Sequence, residues 1–116
     1  MTHREQIKEA LRGIVGVKLV TTAWPEKFDT LPCILLSLAS EQGADFRDDE
    51  EYLTTVQWYV RVFAAKEDVV LRIAAAAYKE MKKLGYIRDG RWEIPDGRLH
   101  RVDFRFTKTS YSERIE

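Results

Sequence analysis

The sequence predicts an α+β fold, in which a single antiparallel sheet carries a long helix on one face and is preceded by an N-terminal helix. Residues 67–84 repeat apolar side chains at three- and four-residue intervals, as one side of a helix does. Residues 52–64 and 99–108 alternate apolar and polar side chains, which is typical of half-buried strands. We expect one domain over residues 1–116, because this length supports one hydrophobic core.

The N-terminal helix is predicted to begin after Thr2, whose hydroxyl can cap it, with Glu5 completing a capping box. Its apolar stripe is expected to end near Val15, since glycines follow and interrupt it. The β-branched residues 17–21 then indicate a short, irregular strand. Two X-Pro pairs bracket residues 24–32, which predicts a loop because the residue before proline avoids helical geometry.

Two strands are expected to follow as an antiparallel hairpin with a long connection. The first covers residues 33–39 and the second residues 52–64, while the polar and acidic residues 40–51 are predicted to form the loop between them. The second strand has an apolar face and a mixed face. The apolar face holds Tyr52, Val56, Trp58, Val60 and Val62, and the mixed face holds Leu53, Thr55, Gln57, Tyr59, Arg61 and Phe63.

The long helix, residues 67–84, has Glu67 in its first turn and Lys83 in its last, a charge order that suits the helix dipole. Gly85 follows where a left-handed C-cap needs a residue without Cβ. Ala77 lies within an alanine run that lets the backbone approach a sheet closely. We therefore expect this helix to cross the apolar face of the sheet.

The remaining chain predicts two strands and a tail. Turn signals at residues 89–90 and 96–97 flank a short strand, residues 91–94. Residues 99–108 form the last predicted strand. Residues 109–116 are polar, and we expect a flexible tail there. The predicted order is therefore α-β-β-α-β-β.

Composition limits the possible functions. Nineteen Lys and Arg balance nineteen Asp and Glu, so the formal net charge is zero, which argues against a general nucleic-acid binder. The single cysteine, Cys33, cannot form an internal disulfide and fits a reducing compartment. Charges interrupt the N-terminal segment, so we expect no signal peptide, no membrane partner and a cytoplasmic site of synthesis.

Residues with reactive side chains are few and scattered. His3 is expected on an exposed first turn and His100 at the core or its rim. Cys33 has no evident general base and is expected to be a small buried hydrophobe. The acidic residues 48–51 do not match an EF-hand loop. We therefore expect no enzyme activity, no metal site and no cofactor.

Short local patterns carry a resemblance to one family. They are Leu-Pro-Cys-Ile-Leu-Leu at residues 31–36, Val-Gln-Trp-Tyr-Val-Arg-Val-Phe at 56–63, Met-Lys-Lys-Leu-Gly-Tyr-Ile-Arg-Asp-Gly at 81–90, and His-Arg-Val-Asp-Phe-Arg-Phe at 100–106. In this order the chain resembles the tail terminator proteins of long-tailed bacteriophages and prophages, also called tail completion or head-tail joining proteins. The resemblance spans residues 31–106.

The resemblance implies a structural protein of the virion. Such a protein forms a ring, expected to be a hexamer, that caps the tail tube, ends tail polymerisation and presents a surface to the head. Its implied partners are copies of itself, the tail tube protein and the head connector protein. Its implied location is the tail-head junction of the virion, after assembly in the bacterial cytoplasm.

The residues themselves suggest where subunits would meet. The mixed sheet face supplies apolar anchors and arginines, and the acidic segment of a neighbouring copy supplies complementary charge. The interface candidates are Phe46, Asp48, Asp49, Glu50, Glu51, Leu53, Tyr59, Arg61, Phe63, Arg101 and Arg105.

Two other classes of function stay open at this point. The mixed face could bind a nucleic acid or a peptide, using Tyr59 and the three arginines. Trp92 and Tyr86, near Arg88 and Arg91, could stack a base, but we expect them instead to cover the helix end and the hairpin. A small α+β enzyme would need a pocket that gathers His100 with carboxylates.

Overall fold

The computed structural model describes residues 2–47 and 50–111, without the side chains of residues 44–47, 50–52 and 111. It confirms the α+β class: one five-stranded sheet with two helices. The elements in chain order are α1 His3–Arg12, β1 Leu19–Thr21, β2 Cys33–Arg47, β3 Glu50–Ala64, α2 Glu67–Lys83, β4 Ile87–Asp96 and β5 Leu99–Tyr111.

The sheet order is β1-β2-β3-β5-β4. The three pairings β2-β3, β3-β5 and β5-β4 are antiparallel, as predicted. The β1 strand runs parallel to β2, so the sheet is mixed and the prediction of a wholly antiparallel sheet is wrong on this point. The physical reason is the connection of residues 22–32, which is long enough to carry the chain back before β2 begins.

The first helix begins as expected, because the Thr2 hydroxyl accepts a hydrogen bond from the Glu5 amide at 3.1 Å. It ends at Arg12 rather than near Val15. The Gly13 amide donates to the Ala10 carbonyl oxygen and the Ile14 amide to the Leu11 carbonyl oxygen, which closes the last turn early. Val15 therefore leaves the apolar stripe, and 82% of its surface is exposed.

The predicted loop between the second and third strands is instead a continuous hairpin. Pairing runs from Cys33↔Phe63 to Arg47↔Glu50, with three register shifts along β2. Strand pairing satisfies the backbone groups of this polar segment, and bulges absorb its irregularities. Asp48 and Asp49 lie outside the described residues.

The hydrophobic core lies between the two helices and one face of the sheet, here called the inner face. The α2 side chains buried against it are Val70, Ile73, Ala74, Ala77 and Met81. Trp58 and Phe104 lie in the same core cluster, which confirms the predicted packing of the helix on the sheet. Gly85 has φ of 92°, the left-handed C-cap expected after α2.

The final hairpin is longer than predicted. Residues 89–90 do not form a turn but a bulge inside β4, where the register shifts between Arg88 and Gly90. The turn at residues 96–97 is confirmed. The β5 strand continues to Tyr111, whose backbone is paired with Leu53, so residues 109–111 belong to a strand.

Candidate functional site

The reactive side chains do not form a catalytic arrangement in the described part of the chain. His100 is exposed at the rim. His3 is buried rather than exposed, contrary to expectation, because the Tyr86 hydroxyl lies 3.4 Å from its Nδ1 atom under the first turn of α1. Cys33 is buried, and this desolvation raises the pKa of its thiol to about 11, far from a reactive thiolate.

Among residues 2–47 and 50–111, no group of three or more His, Cys, Asp and Glu side chains is placed to hold a metal ion. A search of the same residues for a helix with the length and hydropathy of a membrane span finds none. The surface that brings several predicted site residues together is the sheet face opposite the helices. We call it the outer face, and its central side chains are Tyr59, Arg61, Phe63, Trp92, Arg101, Asp103 and Arg105.

One end of the outer face is closed by the loop between β1 and β2. Phe63 is fully buried, in a small cluster with Cys33 and Leu35. The Phe28 ring lies 4.5 Å from the Phe63 ring, and the Trp24 ring meets it edge-on at 6.0 Å. Phe63, a predicted interface anchor, is thus covered by its own chain, while Trp24 itself remains 55% exposed.

Asp103 organises the centre of the outer face. Arg101 donates two hydrogen bonds to it, from Nε and Nη2, each of 2.8 Å. Arg61 Nε lies 3.3 Å from Asp103 Oδ2, the oxygen that also accepts from Arg101 Nη2. The hydrogen bonds that Arg101 donates to Asp103 raise the pKa of the Arg101 guanidinium, so this group stays charged. This bidentate pairing explains how a carboxylate can be 94% buried, since Asp103 retains 6% exposure.

A second ion pair lies nearer the edge of the sheet. Arg105 Nε donates to Asp89 Oδ1 at 2.9 Å, and Gln57 donates to Oδ2 of the same carboxylate at 3.2 Å. Trp92 lies beside this pair with 43% of its surface exposed, and the Arg105 guanidinium is 5.9 Å from its ring centre.

The guanidinium groups also lie over aromatic rings. Arg61 is 4.6 Å from the Tyr59 ring centre and 5.4 Å from that of Trp24. Arg101 lies 5.6 Å from the Trp24 ring centre and 5.4 Å from that of Phe63. These contacts hold the arginine side chains flat on the sheet. The outer face is therefore an ordered surface rather than a set of free cations.

Charge on the outer face is balanced within the chain. Arg61 and Arg101 share Asp103, Arg101 also approaches Asp96 at 3.7 Å, and Arg105 pairs with Asp89. Three arginines thus face three aspartates. A phosphate would have to displace these carboxylates, so the arrangement suits a protein partner better than a nucleic acid.

The structure unites five of the predicted interface residues and separates the others. Tyr59, Arg61, Phe63, Arg101 and Arg105 lie together on the outer face. Leu53 lies on the hairpin with a half-buried side chain, and Phe46, Glu50 and Glu51 contribute backbone to that hairpin. Asp48 and Asp49 lie outside the described residues.

Sequence reasoning did not place Asp89, Trp24 and Trp92 on this surface, and it put Asp103 on the face of Arg101 and Arg105 without giving it a role. Asp103 alternates with Arg101 and Arg105 along one strand, and that spacing was a usable signal for it. Trp24 reaches the face through a loop, and no strand pattern could have placed it.

Comparison with known proteins adds a fold relative. The sequence matches no protein-family model, and the search of curated proteins finds no match either. Among solved structures, a chain of the virion of a native gene transfer agent particle superposes with a TM-score of 0.58. The two chains are 15% identical, and the match covers 96% of each. The protein shares the fold of that virion chain.

Proposed function

We propose that the protein is a structural component of a phage-like virion. The observation that carries the proposal is the fold match, which spans 96% of both chains and whose partner comes from a gene transfer agent virion particle. Local sequence patterns between residues 31 and 106 support the same class independently, because they resemble tail terminator proteins.

Within this class, the proposed role is that of a tail terminator. Copies of the chain form a closed ring, a hexamer, that caps the tail tube at the head-tail junction and ends tail polymerisation. Support for a protein contact comes from the outer face, where charges are balanced and Trp24 and Trp92 are exposed. Exposed aromatic side chains on an ordered surface are typical anchors of a subunit interface.

The test combines self-association with capping. Native mass spectrometry and analytical centrifugation over a wide concentration range should detect a closed ring, and the purified protein should bind the ends of tail tubes. Tyr59→Asp should weaken both, because it replaces an aromatic ring of the outer face with a carboxylate. Lys82→Asp is the control, since Lys82 is exposed on the flank of α2 beside Tyr86 and Ile87, away from the outer face.

The possible results separate the roles. A ring that survives Tyr59→Asp would keep the terminator role and move the interface elsewhere. A protein that remains monomeric at every concentration and does not cap tail tubes would overturn the proposal. Salt-sensitive binding of RNA by such a monomer would favour a nucleic-acid-binding module.

A further inference from the structure

The outer-face arginines already have carboxylate partners, which leaves a different cationic surface free to bind an acidic one. That surface is the groove between α2 and residues 13–15, which follow α1; it is here called the helical groove and has a volume of about 290 Å³. We propose that the acidic end of the β2-β3 hairpin of one copy docks in the helical groove of the next copy. This inference rests on the proposed ring and names the contact that would form it.

The helical groove has a rigid apolar rim. Val15 is 82% exposed at the end of α1, and its carbonyl oxygen accepts a hydrogen bond of 2.9 Å from Arg72 Nη1. Gly16 has φ of 94°, and a Cβ at this position would lie 2.8 Å from Arg72 Nη2. Glycine thus lets the chain turn closely around the arginine. An apolar side chain held outward by such a turn is preorganised for a contact.

The helical groove carries excess positive charge. Arg72, Lys79 and Lys83 line it together with one carboxylate, Glu80. Lys83 lies 2.9 Å from Glu80, but its side chain is 74% exposed, so this pair is open to solvent. Within the described residues, neither Arg72 nor Lys79 has a carboxylate within ion-pair distance. Three cations against one carboxylate leave a net charge of +2 at the groove.

The hairpin end, defined as residues 41–47 and 50–53, has the opposite charge. It contains Glu41, Asp45, Glu50 and Glu51 and a single basic residue, Arg47. Four acidic residues against one arginine give a net charge of −3. Opposite net charges on two separate surfaces of one chain favour head-to-tail contacts over symmetric ones.

The hairpin end also has the reach that a head-to-tail contact needs. Val56 is the core-cluster residue of β3 nearest the hairpin end, and six further residues run from Thr55 to the start of the strand at Glu50. At about 3.3 Å per residue they extend roughly 20 Å. The molecule is correspondingly elongated, with principal extents of 52 × 26 × 25 Å. The acidic end therefore extends past its own core towards a neighbour.

A charge-exchange experiment tests the docking. Variant A carries Lys79→Glu and Lys83→Glu, which makes the groove acidic. Variant B carries Glu50→Lys and Glu51→Lys, which makes the net charge of the hairpin end more positive by four. Each variant alone should raise the concentration at which rings form by about tenfold or more, because like charges then meet. Native mass spectrometry of each variant and of their equimolar mixture gives the assembly midpoints.

The mixture provides the sharper result. Every groove of A can then face a hairpin of B, and every groove of B a hairpin of A, so alternating rings should return to within about threefold of the wild-type midpoint. Lys82→Glu is the matched control, because Lys82 lies on the other flank of α2, beside Tyr86 and Ile87. Far-ultraviolet circular dichroism checks that every variant is folded.

The outcomes distinguish the docking from the ring itself. Wild-type rings that tolerate variant A, or a mixture no better than its components, would overturn the docking and leave the proposed function in place. Wild-type protein that never assembles, alone or on tail tubes, would overturn the proposed function and the docking with it.

Discussion

The two faces of the sheet exclude water by different chemistry. On the inner face, helix α2 lays aliphatic side chains against Trp58, Phe104 and Phe106, and all of these rings are buried. On the outer face, Phe63 is covered by a loop, and the centre is occupied by arginines bound to Asp103. The difference teaches that one sheet can bury its two faces in two ways, by apolar packing on one side and by paired charges on the other. The inner face buries apolar side chains together with the Trp58 indole Nε1, which has no hydrogen-bond partner among the described residues, whereas the outer face holds its charged side chains in ion pairs and stays partly exposed.

The largest expected effect is at the inner face. Ala77→Glu places a charge and added volume where the native side chain is fully buried. We expect a loss of at least about 3 kcal/mol in the free energy of unfolding, from overpacking and desolvation of the carboxylate. Urea denaturation measures it. The same change at the exposed Ala75 is the control, and equal melting temperatures for the two variants would contradict the packing described here.

A smaller effect is expected at the centre of the outer face. Asp103→Asn removes the charge that two arginines share, and we expect a loss of about 2 kcal/mol. The loss stays below that of a fully buried pair because the Arg61 and Arg101 side chains retain 16% and 18% exposure. Asp89→Asn is the matched comparison at the edge, where solvent screens the pair with Arg105. A larger loss of stability for Asp89→Asn than for Asp103→Asn would contradict the stronger ion pairing described at the centre of the outer face.

The loop that covers Phe63 should contribute less again. Trp24→Ala removes two edge-on ring contacts and two cation-π contacts, and we expect a loss of about 1 kcal/mol. Chemical denaturation followed by circular dichroism is the measurement. Trp92→Ala, which exposes no buried ring, should lower the midpoint less. The reverse order would show that the loop does not protect Phe63.

The smallest effect is a dependence on pH at the end of α2. Lys108 Nζ donates to the Leu84 carbonyl oxygen at 2.7 Å, and burial lowers the pKa of this ammonium group below 10.5. Between the lowered pKa and 10.5 the unfolded chain holds more protons than the folded one, so stability from this group rises with pH. The stability of the wild type relative to Lys108→Met should increase as the pH approaches 10.5. A constant difference would contradict the lowered pKa.

The sequence was sufficient for the elements that carry a strong period. The α2 stripe and the alternation from Val56 to Val62 predicted the inner face correctly, because burial on one side imposes that pattern. It was not sufficient for residues 40–47, where polar side chains predicted a loop and backbone pairing formed a strand. The polarity of a side chain indicates whether it is buried. A hairpin in solvent is held by backbone pairing and needs no buried side chains.

The candidate site was predicted in part. The alternation along β3 and β5 placed Tyr59, Arg61, Arg101 and Arg105 on one face, as the structure does. Their partners could not all be derived, since Asp89 belongs to a bulge and Trp24 to a loop. Contacts made by bulges and loops produce no regular spacing of residues, so the sequence pattern could not predict them.

The short β1 strand has a consequence for solubility. It pairs only with Cys33, Ile34 and Leu35, so the outer edge of β2 beyond Leu35 has no neighbouring strand within the described residues. An open edge invites pairing with the edges of other molecules and the growth of fibrils. Here the register shifts near Ser40, Asp45 and Phe46 break the regular ladder. The irregular edge should disfavour strand pairing between newly made chains, so that the chains stay soluble before they assemble.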